Sequence, residues 1–158
     1  GDNLLEYPEA LINIKTINGL DKIVESKGTL RIGALAKLSS LVNSPLLNER
    51  YPALAEAART VATPQIRNAA TIGGNLCQDV RCWYYRYPRH IGGPILCARK
   101  GKGPCLAVKG DNRYHALIGA KKCFAVCPSD TAVALAALDA TVSIAGPRPS
   151  KATSKSPR

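Results

Sequence analysis

Ala70-Thr71-Ile72-Gly73-Gly74-Asn75-Leu76 is the most informative stretch of this chain. Paired glycines after an apolar run let the backbone approach a ligand with no Cβ in the way, and turn N–H groups can then face phosphate oxygens. The Thr71 hydroxyl and the Asn75 amide add hydrogen-bonding groups at the same place. The spacing fits neither the Rossmann nor the Walker pattern, so neither nucleotide signature applies. By itself Gly-Gly is usually a tight turn, and the flanking sequence has to carry the rest of the reading.

Upstream, Leu11–Ile14 and Thr29–Ala34 are β-branched apolar runs that suit strands, with an amphipathic stretch at Ile17–Glu25 that suits a short helix between them. Ser39 or Ser40 can cap a brief helix through Asn43, and Ser44-Pro45 restarts one with proline in the first turn. Pro52–Val61 is alanine-rich, with apolar Leu54, Ala57, Ala58 and Val61 on one helical face. Thr63-Pro64 ends it, and Gln65–Asn68 reads as a polar connection.

Downstream, Cys77–Lys122 is rich in Gly, Pro, Tyr and cations and shows no sustained period. Regularity returns with a strand over Phe124–Cys127. Ser129 then serves as an N-cap with Asp130 in the first turn of a helix over Thr131–Leu138, and a last strand covers Thr141–Ile144. This mixture at this spacing predicts an α+β or α/β unit. Residues 148–158 are basic, proline-broken and poor in apolar side chains, the composition of a disordered tail.

The chain has 158 residues, 46% hydrophobic and 21% charged, which is the composition of one folded domain. No run approaches the roughly 18 apolar residues of a membrane span. A chain beginning Gly1-Asp2-Asn3 with no methionine reads as a processed chain or a fragment. The net charge of +11 is unevenly placed: residues 1–80 are neutral, and residues 81–122 hold ten basic side chains against the single acid Asp111. Such a run reads as a solvated surface, a nucleic-acid contact or compensation for an anionic group. Trp83, Tyr84, Tyr85 and Tyr87 lie within it, packed too closely in sequence for a stacking platform along a groove.

Six cysteines complete the picture: Cys77, Cys82, Cys97, Cys105, Cys123 and Cys127. Their spacing leaves open buried or disulfide cysteines, a zinc site and an iron–sulfur cluster. A bound metal centre would order a segment whose own core is too small. His90 and His115 are isolated and read as loop histidines, so no residue is a candidate acid–base catalyst.

Ala70–Leu76, followed by Pro128-Ser129-Asp130 and Ala134-Leu135-Ala136-Ala137-Leu138-Asp139-Ala140, resembles the medium, FAD-binding subunit of the molybdenum hydroxylases. That family includes xanthine dehydrogenase, carbon monoxide dehydrogenase and aldehyde oxidoreductase flavoproteins. Leu11–Lys15 and Leu30–Ala34 fit the same pattern, so the resemblance runs over about residues 1–147. Arg81-Cys82-Trp83-Tyr84-Tyr85 with Cys97, Cys105 and Cys123 is similar to the branch of 4-hydroxybenzoyl-CoA reductase and periplasmic aldehyde oxidoreductases, whose flavin subunit carries an extra [4Fe–4S] cluster.

The resemblance implies a partial PCMH-type FAD domain of α+β class over residues 1–147, with a cysteine-rich loop at 82–123. It implies FAD contacts from Ala70, Thr71, Ile72, Gly73, Gly74, Asn75 and Asp130. A remnant of a further phosphate motif is implied at Gly1-Asp2-Asn3-Leu4-Leu5. Cluster ligation falls by the same resemblance to Cys82, Cys97, Cys105 and Cys123, leaving Cys77 and Cys127 as bystanders. The implied activity is that of an oxidoreductase subunit passing electrons between iron–sulfur centres and flavin. Its implied partners are a molybdenum-cofactor large subunit and a [2Fe–2S] small subunit, with substrate chemistry in a partner and no nucleic acid bound. The compartment expected is the cytoplasm, with periplasmic relatives as precedent. The competing reading is a zinc-stabilised basic module that binds nucleic acid or an acidic partner without catalysis.

Overall fold

Lys27 and Gly28, at φ 50° and 74°, close the first hairpin of the computed structural model. Positive φ at both central residues is the type I′ turn, whose twist matches that of the strands it joins. The strands are β1 (Ile23–Ser26) and β2 (Thr29–Ile32), antiparallel, with Ile23 opposite Ile32 and Ser26 opposite Thr29. The structure describes residues 9–87, 97–101 and 103–146, and the backbone of 152–154. The chain divides into two units, Ile17–Cys77 with Ser129–Arg158, and Gly1–Thr16 with Gln78–Pro128.

The first unit holds a helical core. Its helices are α1 (Leu38–Val42), α2 (Pro45–Arg50), α3 (Pro52–Thr60), α4 (Pro64–Ala69) and α5 (Ile72–Leu76). Three of these start with proline, where the missing N–H has no helical partner to lose. Ser44 and Thr63 cap α2 and α4 by accepting from the N–H groups of Leu47 and Ile66, each at 3.4 Å.

Leu38, Leu41, Leu47 and Leu54 are wholly or almost wholly buried and pack with Ala36, Ala55, Ala58, Ile72 and Ala134. Each buried leucine contributes about 1.5–3 kcal/mol relative to exposure. Two residues after Pro128 the chain returns to this unit as the alanine-rich helix α6 (Asp130–Ala137), which packs on α3 and α5. The strand β3 (Val142–Ile144) then pairs antiparallel with β4 (Ala152–Ser154), so part of the stretch expected to be a loose tail lies in a backbone ladder.

The second unit has little regular structure among its described residues. Among them are a helical turn, Trp83–Arg86, and two 3₁₀ turns, Ala98–Lys100 and Leu106–Val108. Val80, Cys82, Cys97 and Ala107 are its buried apolar residues.

Several expectations change. Ile17–Glu25 is not a helix: the backbone turns at Gly19, φ 85°, and Ile23–Ser26 is a strand. The helical spacing there is outweighed by cross-strand pairing with β2, which the Lys27-Gly28 turn makes local. Thr63-Pro64 starts a helix as well as following one, because threonine caps and proline takes the first position. Leu11–Ile14 and Phe124–Cys127 have no partner strand among the described residues. Leu11 and Ile12 are 90% and 86% exposed. Without a ladder to receive its N–H and C=O groups, an apolar run is not held as a strand. Antiparallel hairpins beside segregated helices are an α+β arrangement. Among the described residues no helix is long and apolar enough to cross a membrane.

Candidate functional site

Ala70–Gly73 lies antiparallel against Ala34–Leu38. The Leu38 N–H donates to the Ala70 carbonyl at 3.0 Å, Ile72 N–H to Ala36 at 2.9 Å and Gly73 N–H to Ala34 at 2.8 Å, with a bridge between Lys37 and Thr71. Thr71 then caps α5. Its hydroxyl accepts from Gly74 N–H at 3.1 Å, and its carbonyl accepts from Asn75 N–H at 2.9 Å. The glycine pair is therefore the first turn of a short helix, entered from a bridge and not from a full strand.

The two glycines differ. A Cβ on Gly73 would stand 2.7 Å from the Ala34 carbonyl oxygen and 3.0 Å from the Ala34 Cβ. Gly73 is thus required by close backbone packing. A Cβ on Gly74 would meet only the Thr71 hydroxyl, at 3.2 Å, and Gly74 is exposed. The amides of residues 72–75 all have protein acceptors. Gly74 is bound to a hydroxyl, so its N–H is the one that a side-chain rotation releases towards an outside acceptor.

Asn75 is buried, and its Oδ1 accepts from the Ser129 hydroxyl at 2.6 Å and the Thr131 hydroxyl at 2.5 Å. Ser129 Oγ in turn accepts from Ala132 N–H at 3.0 Å and caps the helix Asp130–Ala137. Ser129 and Thr131 are 1% and 0% exposed. This trio ties the glycine turn to the N-terminus of the later helix across more than fifty residues of sequence. Asp130, between the two hydroxyl residues, is exposed. Of the residues expected at the flavin, Gly74 and Asp130 are exposed and Ala70 and Thr71 half-buried, while Ile72 belongs to the core and the Asn75 carbonyl is engaged inside. Gly1–Leu5 and His90 lie outside the described residues.

In the other unit, Cys82, Cys97, Cys105 and Cys123 line one cavity together with Val80, Tyr84, Tyr85 and Arg99. Cys77 and Cys127 are exposed, and none of the six cysteines is in a disulfide. Among the described residues there is no group of three or more His, Cys, Asp or Glu side chains that could hold a metal ion. Polar groups face two of the four sulfurs. His115 Nε2 lies 3.2 Å from Cys82 Sγ, and a hydrogen bond to Cys123 is the main cause raising the Arg99 guanidinium above its ordinary pKa.

The aromatic cluster is partly turned inward. Tyr84 and Tyr85 line the cavity, and the Tyr85 hydroxyl donates to Asp79 Oδ2 at 2.7 Å. That bond, then burial, raises the Tyr85 phenol above the ordinary tyrosine value. Arg99 and Lys100 lie over the Tyr85 ring at 6.0 and 5.7 Å. Arg86 is spent on the carbonyls of Val80 and Asp79, and Arg113 on Asp111. Arg81, Lys109, Lys121 and Lys122 are exposed, as are Trp83 and Tyr114.

Sequence reasoning missed His115, Thr131 and Arg99. The pair Ser129 and Thr131 flanking Asp130 was the available signal for the buried trio. His115 is 33 positions from Cys82, and no local pattern marks their contact.

A short helix opened by a glycine pair, locked through a buried Asn–Ser–Thr trio, accompanies a separate four-cysteine cavity. Comparison with known proteins identifies the class. Residues 2–154 match the model of the FAD binding domain in molybdopterin dehydrogenase, and the chain belongs to that family. It is 40% identical over 140 residues to the aldehyde oxidoreductase FAD-binding subunit PaoB of Escherichia coli K12, covering 87% of this chain and 42% of that protein. It is 46% identical over 69 residues to the carbon monoxide dehydrogenase medium chain of Hydrogenophaga pseudoflava, covering 44% of this chain and 24% of the relative. The nicotinate dehydrogenase FAD-subunit of Eubacterium barkeri is 42% identical over 71 residues, covering 45% and 24%. The chain thus spans less than half the length of each of these relatives. A match over 87% of the chain takes in the whole stretch from Cys82 to Cys123 wherever it begins.

Proposed function

We propose that this chain is the flavin-binding part of an electron-transfer subunit in a molybdenum-containing hydroxylase or dehydrogenase, and that its cysteine cavity holds a [4Fe–4S] cluster. Bound FAD supplies reversible one- and two-electron chemistry, and the protein's task is binding, orientation and electrostatics. Thr71, Gly74 and Asp130 are the residues available to it: Gly74 offers an open backbone, Thr71 a hydroxyl that can turn, and Asp130 an exposed carboxylate. Gly73 and Asn75 hold that turn in place from behind. Substrate chemistry falls to a large partner subunit carrying the molybdenum cofactor, with a [2Fe–2S] small subunit between them.

The observation that carries the cluster reading is the convergence of Cys82, Cys97, Cys105 and Cys123 on one cavity, with Cys77 and Cys127 left outside it. The donor set suits a thiolate-bound group, and N–H donors beside two of the sulfurs suit its negative charge. A single zinc draws its four sulfurs to about 2.3 Å from one point, whereas a four-iron cube keeps them further apart. The long match to an aldehyde oxidoreductase FAD-binding subunit supports the flavin part of the reading.

The test is anaerobic purification of the protein with iron, sulfide, zinc and flavin analysis. About four iron and four sulfide per chain, with flavin bands over broad sulfide-to-iron absorption, is the expected result. Cys105→Ser should lose the iron and Cys77→Ser should keep it. A colourless protein containing zinc would refute the proposal.

A further inference from the structure

We infer that His115 is a positioning residue for the cluster, its Nε2–H donating a hydrogen bond to the Cys82 sulfur and raising the cluster's reduction potential. This rests on the cluster reading above. The contact spans 3.2 Å between Nε2 and Sγ, and Cys82 is itself buried. His115 Nδ1 is buried and has no hydrogen-bond partner among the described residues. With no acceptor at Nδ1, the ring proton belongs on Nε2, where the sulfur accepts it.

The imidazole is held there by its surroundings. The His115 N–H donates to the Asn112 carbonyl at 3.0 Å, and the next residue, Ala116, donates to the Phe124 carbonyl at 2.8 Å. That second bond ties the histidine's strand of loop to the residue after Cys123. The Tyr84 ring packs against the imidazole with centroids 6.4 Å apart and planes inclined by 46°. A second cavity, lined by Arg81, Cys82, Trp83, Tyr114, His115 and Pro128, adjoins the same pair.

A hydrogen bond to a thiolate ligand withdraws electron density and stabilises the more negative, reduced cluster. Arg99 lines the same cavity as Cys123, and its cation acts in the same sense.

The experiment is a redox titration of the full chain, purified without oxygen, as wild type, H115L and H115Q. Iron and sulfide are counted in each sample first. Wild type without iron would overturn the cluster reading and this inference with it. With iron present, H115L should keep its iron and titrate at a lower potential, a loss of about tenfold in the one-electron equilibrium or 59 mV. H115Q, which retains an amide donor, should fall between H115L and wild type. Resonance Raman should show iron–sulfur stretching bands that shift on deuteration in wild type and lose that shift in H115L. Loss of iron in H115Q as well as H115L would make His115 a ligand or a structural support and overturn the inference. Unchanged potentials with iron retained would overturn it equally.

Discussion

The two glycines of the Ile72–Leu76 helix should respond in opposite ways to alanine, and the difference follows from their surroundings. At Gly73 the added Cβ would lie 2.7 Å from the Ala34 carbonyl oxygen and 3.0 Å from the Ala34 Cβ. Ordinary contact needs the backbones to part by about 0.5 Å, which moves the 2.8 Å bond from Gly73 N–H to that same carbonyl out of its good range. Overpacking of this kind costs about 1–3 kcal/mol, and the weakened bond about 1 more. Alanine's better helix propensity returns about 1 kcal/mol. The net loss for Gly73→Ala is therefore about 1–3 kcal/mol, or a fall in Tm of about 2–10 °C for a chain of this size.

At Gly74 the same Cβ meets only the Thr71 hydroxyl, at 3.2 Å. That hydroxyl can rotate away, forfeiting a cap bond of about 1 kcal/mol against a similar propensity gain. Gly74→Ala should leave stability within about 1 kcal/mol of wild type. Thermal unfolding followed by far-ultraviolet circular dichroism measures both. Equal melting temperatures, or a lower one for Gly74→Ala, would refute the assignment of Gly73 to packing and Gly74 to the open side.

Two other consequences are directly measurable. Asn75→Ala leaves the buried Ser129 and Thr131 hydroxyls without their shared acceptor, and should cost about 2–3 kcal/mol in urea unfolding; a loss below about 0.5 kcal/mol would mean that water or a rearranged Ser129–Thr131 contact replaces it. The Tyr85 phenol, held above the ordinary tyrosine range by its bond to Asp79, favours the folded state below its unfolded pKa and loses that contribution as pH rises through the folded value. Phenolate absorbance should show one of the six tyrosines ionising later than the rest, and Asp79→Asn should bring it back among them; six indistinguishable titrations would remove the Tyr85–Asp79 bond from the account.

Local chemistry was legible where a short stretch contains both the signal and its partner. Ser44-Pro45, Ser129 and the alanine-rich Pro52–Val61, whose helix runs to Thr60, read correctly because capping and helical packing faces are encoded within a few residues. The Thr63-Pro64 pair was read only as a stop, although the same two residues begin the next helix. The apolar spacing of Ile17–Glu25 serves a helix and a strand equally well. The left-handed Lys27-Gly28 turn that settles the matter acts through pairing with β2.

By itself the sequence determined the family, the α+β class and the order of its signals, since Ala70–Leu76 and Ser129–Asp130 are read in register along the chain. Only the tertiary structure decided what each residue does. It separated Gly73 from Gly74 by what stands over each Cα, and it gave the Asn75 carbonyl to two hydroxyls fifty residues away. It gathered four cysteines onto one cavity and brought His115 to one of them. Those roles depend on distances between segments remote in sequence, and such distances are set by packing, which no local pattern records.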